Sequence, residues 1–463
     1  MFRIVGFVAS ALLICWWSAL GFKLAVALGF GAFATAFAAG LLAAGLSAWL
    51  FFRRTRLEAS RNALLVLASC MLAVYALEAA FQLGLALDEP MQPHQKAALA
   101  AGRLFDARSK YEVMRDLRAR GEDAVIAFNS FSLLEPGANA TVAPLGHIAN
   151  VATVLCNEGG EYAVYTTDER GFRNPPGLWS QAPIDALCLG DSFTEGACVP
   201  DGQGFADAIR RAWPRTVALG VTSAGPLYQL ALLKEYIGAL KPRVVLWCYY
   251  EGNDLFDLER EASLGEGSIL DRCLTSNRTQ RLPDRQGEID VALRELLGSR
   301  LEEMERAATA KHAAAKSDAG LAVYLANGLL LRETRERVRL ARVGYNEARR
   351  LRDKTDDLAL MAKVLGEAKA VAERHGARLY FVRLPAWIRF KAPDGPETQG
   401  LRSEQVLATA REAGLPVIDA LEAFARHGDP LDLFPFRIEG HYNAKGHEAA
   451  GKHIVEALRA EGW

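Results

Sequence analysis

Apolar positions crowd the front of this chain and thin out behind it. Three stretches before residue 90 are almost free of charge: Ile4 to Leu20, with the pair Trp16 and Trp17; Leu24 to Phe52, rich in Ala and Gly; and Ala63 to Leu87, interrupted only by Glu78. A helix crosses a bilayer with about 20 mostly apolar residues, about 17 being near the lower limit. Residues 1–90 are therefore predicted to be a transmembrane anchor of three helices. Arg3 resembles the start of a signal peptide, but no small-residue cleavage site followed by polar chain comes after it; Lys23 leads straight into the next apolar run. Arg53, Arg54, Arg56 and Arg61 crowd the second link. Basic links stay cytoplasmic, so the chain after about residue 90 is expected on the periplasmic or extracytoplasmic side of the inner membrane. The first two stretches either both cross or form a re-entrant pair. Their small residues, among them Gly29, Gly31, Ala36, Gly40, Gly45 and Ser47, suit close helix packing in lipid.

Behind the anchor the pattern changes. Residues 91–180 read as a connector and lead-in, helical near Lys96 to Arg120. From residue 181 short apolar runs alternate with helical ones. Five runs are strand-like: Asp185–Leu189, Thr216–Leu219, Arg243–Tyr249, Arg378–Val382 and Pro416–Asp419, the third dominated by β-branched and aromatic residues. Helical patterns separate most of them, which predicts an α/β class with a mainly parallel, five-stranded sheet. Residues from about 260 to 355 break the alternation. They are charged and helix-prone and read as a solvated helical insertion, within which Val323 to Leu331 could pack on the core or touch the membrane.

Charge is nearly balanced, 54 basic against 55 acidic residues, with no basic stripe, which argues against a nucleic-acid partner. Of seven cysteines, Cys15 and Cys70 fall in predicted spans, while Cys188 and Cys248 sit in strand-like runs as buried thiols. Cys156, Cys198 and Cys273 remain, and two of them can pair in an oxidising compartment. No cysteine spacing resembles a zinc site. Neither a Gly-x-Gly-x-x-Gly after a strand nor a phosphate-cradling Gly-Lys loop is present. No cofactor is expected.

Candidate chemistry sits after alternate strands. Gly190–Asp191–Ser192–Phe193–Thr194–Glu195–Gly196 follows the first, where a serine hydroxyl can emerge at the rim of an open sheet; Gly-Asp-Ser is also an ordinary turn. Glu251–Gly252–Asn253–Asp254 follows the third. The Asn253 amide can donate to an oxyanion there, although Asn and Asp also start helices. Glu439–Gly440–His441–Tyr442–Asn443 follows the fifth, placing an imidazole and an acid where a serine nucleophile needs them. Strands one, three and five of a parallel sheet end on one edge, so the three groups are expected to meet.

These blocks resemble the SGNH (GDSL) hydrolase family over about residues 184 to 460, the anchor and insertion lying outside the match. Ser192 matches the nucleophile, Asn253 the amide and His441 the base. The resemblance implies a flavodoxin-like, three-layer α/β/α fold. It also implies an oxyanion hole from the N–H groups of Ser192 and Ser223 with the Asn253 amide. Three departures stand out. Ser223 replaces the family's oxyanion glycine, with Gly225 as the next candidate. Glu251 replaces the leading glycine of the third block. Ile438 stands where the family carries Asp, so Glu439 or the more distant Asp432 orients His441, or the site runs as a Ser–His dyad.

Similar Gly-Phe-Arg segments to Gly171–Phe172–Arg173 precede the catalytic block in SGNH-like proteins of envelope-polysaccharide acylation. Arg173 is accordingly a candidate substrate grip, as are Asp191 and Gly225; an ion pair for Arg173 and a core position for Phe172 are the plain alternative. His147 and His447 could also approach the cleft, a surface or capping position being the plainer reading. The expectation is a membrane-anchored serine esterase or O-acyltransferase acting on a glycan or lipid-linked acyl ester, beside membrane lipid and with a possible membrane acyltransferase partner. The rival expectation is a catalytically idle scaffold or glycan-binding partner of an assembly complex.

Overall fold

Strand side chains alternate between two faces. The five predicted strands are apolar on both, so each face of their sheet must be covered. The protein is described by a computed structural model over residues 91–134, 141–316 and 356–463. A small sheet comes first, with β1 (Ala124–Ile126), β2 (Ala152–Val154) and β3 (Val164–Thr166); β2 runs parallel to β1 and antiparallel to β3. The main sheet follows as β4 (Ala186–Gly190), β5 (Thr216–Gly220), β6 (Val244–Tyr250), β7 (Arg378–Leu384) and β8 (Val417–Asp419). All of its pairings are parallel, in the order β5-β4-β6-β7-β8. This is the doubly wound 2-1-3-4-5 order, whose direction reverses between β4 and β6, the crevice where such sheets bind ligands.

A short helix α1 (Pro93–Ala100) lies near the front, and the covering helices are α2 (Phe205–Ala212), α3 (Pro226–Leu240), α4 (Asp356–Arg374), α5 (Ser403–Glu412) and α6 (Ala444–Ala460). On one face Leu187, Leu219, Trp247 and Phe381 pack with Leu230 of α3, Val364 of α4 and Val406 of α5. On the other Ala186, Leu246 and Val382 pack with Ile209 of α2 and Ile454 of α6. The result is three layers, each fully buried aliphatic side chain contributing about 1.5–3 kcal/mol. Gly451 lets α6 approach α2 closely, since a Cβ there would lie 2.4 Å from that of Ala208.

The insertion is less solvated than its charge suggests. Its helices at Ile269–Thr275 and Gln286–Lys316 bury Leu270, Ile289, Leu293 and Leu297 in the main core; Val323 to Leu331 lies outside the described residues. The charged positions hide this stripe because the apolar residues recur only at helical spacing. The chain divides into two compact units, and residues 91–306 and 345–463 form the second. The lead-in is therefore part of the same unit as the main sheet. Among the described residues no helix is long and apolar enough to cross a membrane; the three predicted spans lie outside them.

Truncating Leu293, which is 1% exposed, should lower stability by about 2–5 kcal/mol. Urea unfolding of Leu293→Ala would measure it; a change under about 0.5 kcal/mol, the scale of a surface substitution, would mean that this helix does not belong to the core.

Candidate active site

β4 ends at Gly190, where a Cβ would fall 2.1 Å from the Thr194 hydroxyl and 2.9 Å from the Cys248 carbonyl. The turn can therefore be tight. Asp191 caps the single helical turn Ser192–Glu195 by accepting the Phe193 N–H at 2.9 Å, which sets Ser192 at the rim. His441 stands ahead of α6, whose cap Asn443 accepts from the Lys445 and Gly446 N–H groups. The two meet: Ser192 Oγ lies 2.9 Å from His441 Nε2. Beneath them the Phe193 ring stacks on Tyr250 at 3.8 Å and lies 4.9 Å from the His441 ring.

The acid behind the ring is Glu158, which sequence reasoning missed. Its Oε1 is 2.8 Å from His441 Nδ1, and its Oε2 accepts the His441 main-chain N–H at 2.7 Å. This carboxylate fixes the Nδ1–H tautomer and leaves Nε2 as the acceptor facing the hydroxyl. Neither expected acid takes that place. Glu439 is exposed, and among the described residues no hydrogen bond joins it to His441. Asp432 pairs with Lys445 at 2.8 Å. Glu158 arrives from the loop after β2, where a disulfide joins Cys156 to Cys198. Of the three candidate cysteines, then, Cys156 and Cys198 pair and Cys273 stays a buried thiol. Nothing in the sequence marked Glu158 without that pairing, which ties residue 156 to a position six residues past Ser192 and so carries residue 158 to the site.

Electrostatics follow the geometry. Burial alone would lower the His441 pKa, but the Glu158 charge and hydrogen bond, with Asp191 and Glu195 further off, raise it above the usual 6.5. Burial opposes ionisation of Glu158, yet His441 holds its carboxyl below the ordinary value. A second imidazole flanks the acid: His94 Nε2 of α1 lies 3.8 Å from Glu158 Oε2, and burial lowers its pKa. Glu158, Cys198 and His441 offer ligand atoms within 4.8 Å of one another, but the Cys198 sulfur is committed to the disulfide, so the trio is a poor metal site.

The second loop, after β5, is clamped by buried groups. Glu195 accepts the Thr222 N–H at 2.8 Å and its hydroxyl at 2.7 Å, and also the Tyr165 hydroxyl at 2.9 Å. Ser130 donates to the Ser223 carbonyl at 2.5 Å. Ser223 has φ 61°, a left-handed conformation costing a non-glycine residue roughly 1–2 kcal/mol. The serine therefore occupies a backbone conformation that glycine favours. Gly225 is no alternative donor, because its N–H is held by Glu261 at 2.7 Å. Asn253, directly after β6, is half-buried, and its amide lies beside Asp191.

Two candidate substrate contacts are corrected. Arg173 donates to the Gly196 carbonyl at 2.5 Å and the Val199 carbonyl at 2.9 Å and pairs with Asp201 at 3.0 Å, so its guanidinium props the loop behind Ser192. Asp191 is fully buried and capped into its turn; burial pushes its pKa up to about 6. His147 and His447 are buried rather than superficial. His147 faces Glu195 at 3.5 Å, and His447 accepts the Phe205 N–H at 3.3 Å, its pKa pushed down to about 3 by burial.

No family model matches the chain, and no curated protein does. Similar solved structures include a GDSL-like lipase from Bacteroides thetaiotaomicron, at 9% identity over 61% of this chain and 90% of that one, with a TM-score of 0.29. Another is the α/β hydrolase enzyme LAE5 from the metagenome of Lake Arreo, Spain, at 14% identity over 61% of this chain and 98% of that one, with a TM-score of 0.32.

The His441 ring should titrate above 6.5 by proton NMR, and Glu158→Gln should move its midpoint downward, since the raising charge is gone while burial remains. An unshifted midpoint in that variant would break the assignment of Glu158 as the ring's partner.

Proposed function

We propose that this chain is an SGNH-type serine enzyme of acyl-ester chemistry, working through an acyl-enzyme on Ser192. The observation that carries the reading is the continuous relay Ser192 Oγ–His441–Glu158, with contacts of 2.9 and 2.8 Å. A scaffold has no need of a hydroxyl, an imidazole and a carboxylate so aligned.

In the first half-reaction the Ser192 proton passes to His441 Nε2 as Oγ attacks the ester carbonyl carbon. The oxyanion is received by the N–H groups of Ser192 and Ser223 and by the Asn253 amide. Glu158 stabilises the imidazolium that forms, and the departing alcohol takes the proton from Nε2 as the C–O bond breaks. In the second half-reaction His441 deprotonates water or a sugar hydroxyl as its oxygen attacks the acyl carbon, and the imidazolium returns that proton to Ser192 Oγ as the Oγ–acyl bond breaks. Hydrolysis and transfer share every residue here and differ only in the acceptor.

The apolar front and the basic link at Arg53 to Arg61 support a setting at the inner membrane, with this site on the extracytoplasmic side. There an envelope glycan or lipid-linked glycan would be the substrate, and a membrane acyltransferase a fitting partner. The disulfide supports an oxidising compartment.

Fluorophosphonate should label Ser192 and leave Ser192→Ala unlabelled; absence of labelling in the wild type would sink the enzyme reading in favour of an idle scaffold. With nitrophenyl acetate, kcat should fall as pH drops through a midpoint above 6.5, because only neutral His441 accepts the proton. Glu158→Gln should lower kcat by about 10²–10⁴. Ser223→Gly keeps the donated N–H and relieves the backbone, so its kcat should stay within about threefold of wild type; a hundredfold loss would show that the serine side chain itself takes part. Release of acetate with and without a glycan acceptor separates hydrolysis from transfer.

A further inference from the structure

The relay does not account for the cleft beside it. This cleft, about 740 Å³, is lined by α1 and by the segments around Trp387 and Ile438–Glu439. Its inner wall is the acid end of the relay, for His94 lines the cleft while its Nε2 lies 3.8 Å from Glu158. Gly440 closes that wall. A Cβ there would fall 2.5 Å from Glu158 Oε2 and 2.8 Å from His94 Nε2, so the chain between the cleft and His441 has no room for a side chain. A molecule in the cleft would lie against the acid end of the relay, a place that suits a flanking unit of a polymer and not the reacting ester itself.

The lining has a definite chemistry. Lys96, Lys391 and Arg437 bring three cations, against the single acid Glu439. Arg437 is paired with Asp429, whereas Lys96 and Lys391 are exposed, and among the described residues neither has an ion pair or a side-chain hydrogen bond. Trp387 supplies an aromatic wall, positioned by its indole N–H donating to the Arg437 carbonyl at 3.1 Å. An aromatic surface with a few convergent polar groups is the usual form of a small-ligand site. One sign of charge in a concave site concentrates the opposite sign there. The apolar face of a sugar suits the indole, and an anionic substituent suits the two unpaired lysines.

We infer that this cleft is a subsite for an anionic saccharide unit, bearing a carboxylate or a phosphate, next to the sugar whose ester reacts at Ser192. The inference rests on the acyl-ester reading and narrows its substrate class to negatively charged glycans.

The test compares kcat/KM for acetate release from three acetylated polymers by the full chain: polygalacturonate, phosphomannan and neutral xylan. At least one anionic polymer should be preferred over xylan by tenfold or more, and salt should erode the preference by screening. Which anionic polymer wins distinguishes carboxylate from phosphate. In K96E/K391E the anionic-to-neutral ratio should collapse to about one, with the thermal midpoint confirming that the variant is folded. Equal turnover of all three polymers, or a ratio that survives the double substitution, overturns the inference while Ser192-dependent release leaves the acyl-ester reading standing. If no release depends on Ser192, that reading fails by itself, and retention of Ser192→Ala on immobilised polygalacturonate and phosphomannan decides the subsite. Retention on either that is lost in the variant also carrying K96E/K391E supports it, and equal retention of the two proteins, or none, overturns it.

Discussion

The Glu158 carboxylate meets His441 twice, at the ring Nδ1 and at the main-chain N–H, and both contacts require a loop from the front of the unit to stay folded over the carboxyl ends of the sheet. The disulfide between Cys156 and Cys198 holds that loop two residues from the acid. Closing a chain over 42 residues is worth about 4 kcal/mol in the chain-entropy account. Its second end lies on the segment that leaves Ser192, so one covalent link fixes the acid and the hydroxyl in a common frame. Without Glu158 the imidazole would sit in a site whose burial disfavours its charged form, and its tautomer would be unset.

Around this frame the loops are organised by buried carboxylates that accept backbone N–H groups. Glu195 holds the Thr222 turn, Glu261 holds the start of α3 at Gly225 and Leu227, and Glu251 accepts the Ala386 N–H at 2.9 Å, two Arg389 bonds at 2.7 Å and the Ser403 hydroxyl at 2.6 Å. A buried acid is tolerated when its oxygens are satisfied in this way, and removing it would orphan several donors at once. Glu251, which stands where the resembled pattern carries a glycine, is therefore part of the framework. It ties the end of β6 to the segments after β7.

The lead-in has a part in the candidate site that its irregular pattern conceals. It supplies Glu158, Ser130 and His94, and α1 forms one wall of the cationic cleft. In a parallel sheet the loops that leave the strands all emerge at the carboxyl edge, and this edge is approached from outside by a segment with its own small sheet. The site is thus assembled from two directions: strand ends set the hydroxyl, amide and imidazole, and the lead-in sets the acid.

The five strands, the intervening helices and the placement of Ser192, Asn253 and His441 were legible in the sequence, because short apolar runs and helical apolar patterns are local properties and strand ends of one sheet share an edge. Ser223 was legible as a departure, although only its φ of 61° shows that the glycine-like backbone is kept. The tertiary structure decided the rest. Glu158 lies 283 residues from His441, and no local pattern marks which carboxylate will cross that distance. Cysteine pairing, the folding of the insertion's apolar stripe into the core and the diversion of Arg173 to carbonyl groups are likewise choices among partners. They are made by packing and by the satisfaction of buried polar groups, and a one-dimensional pattern records neither.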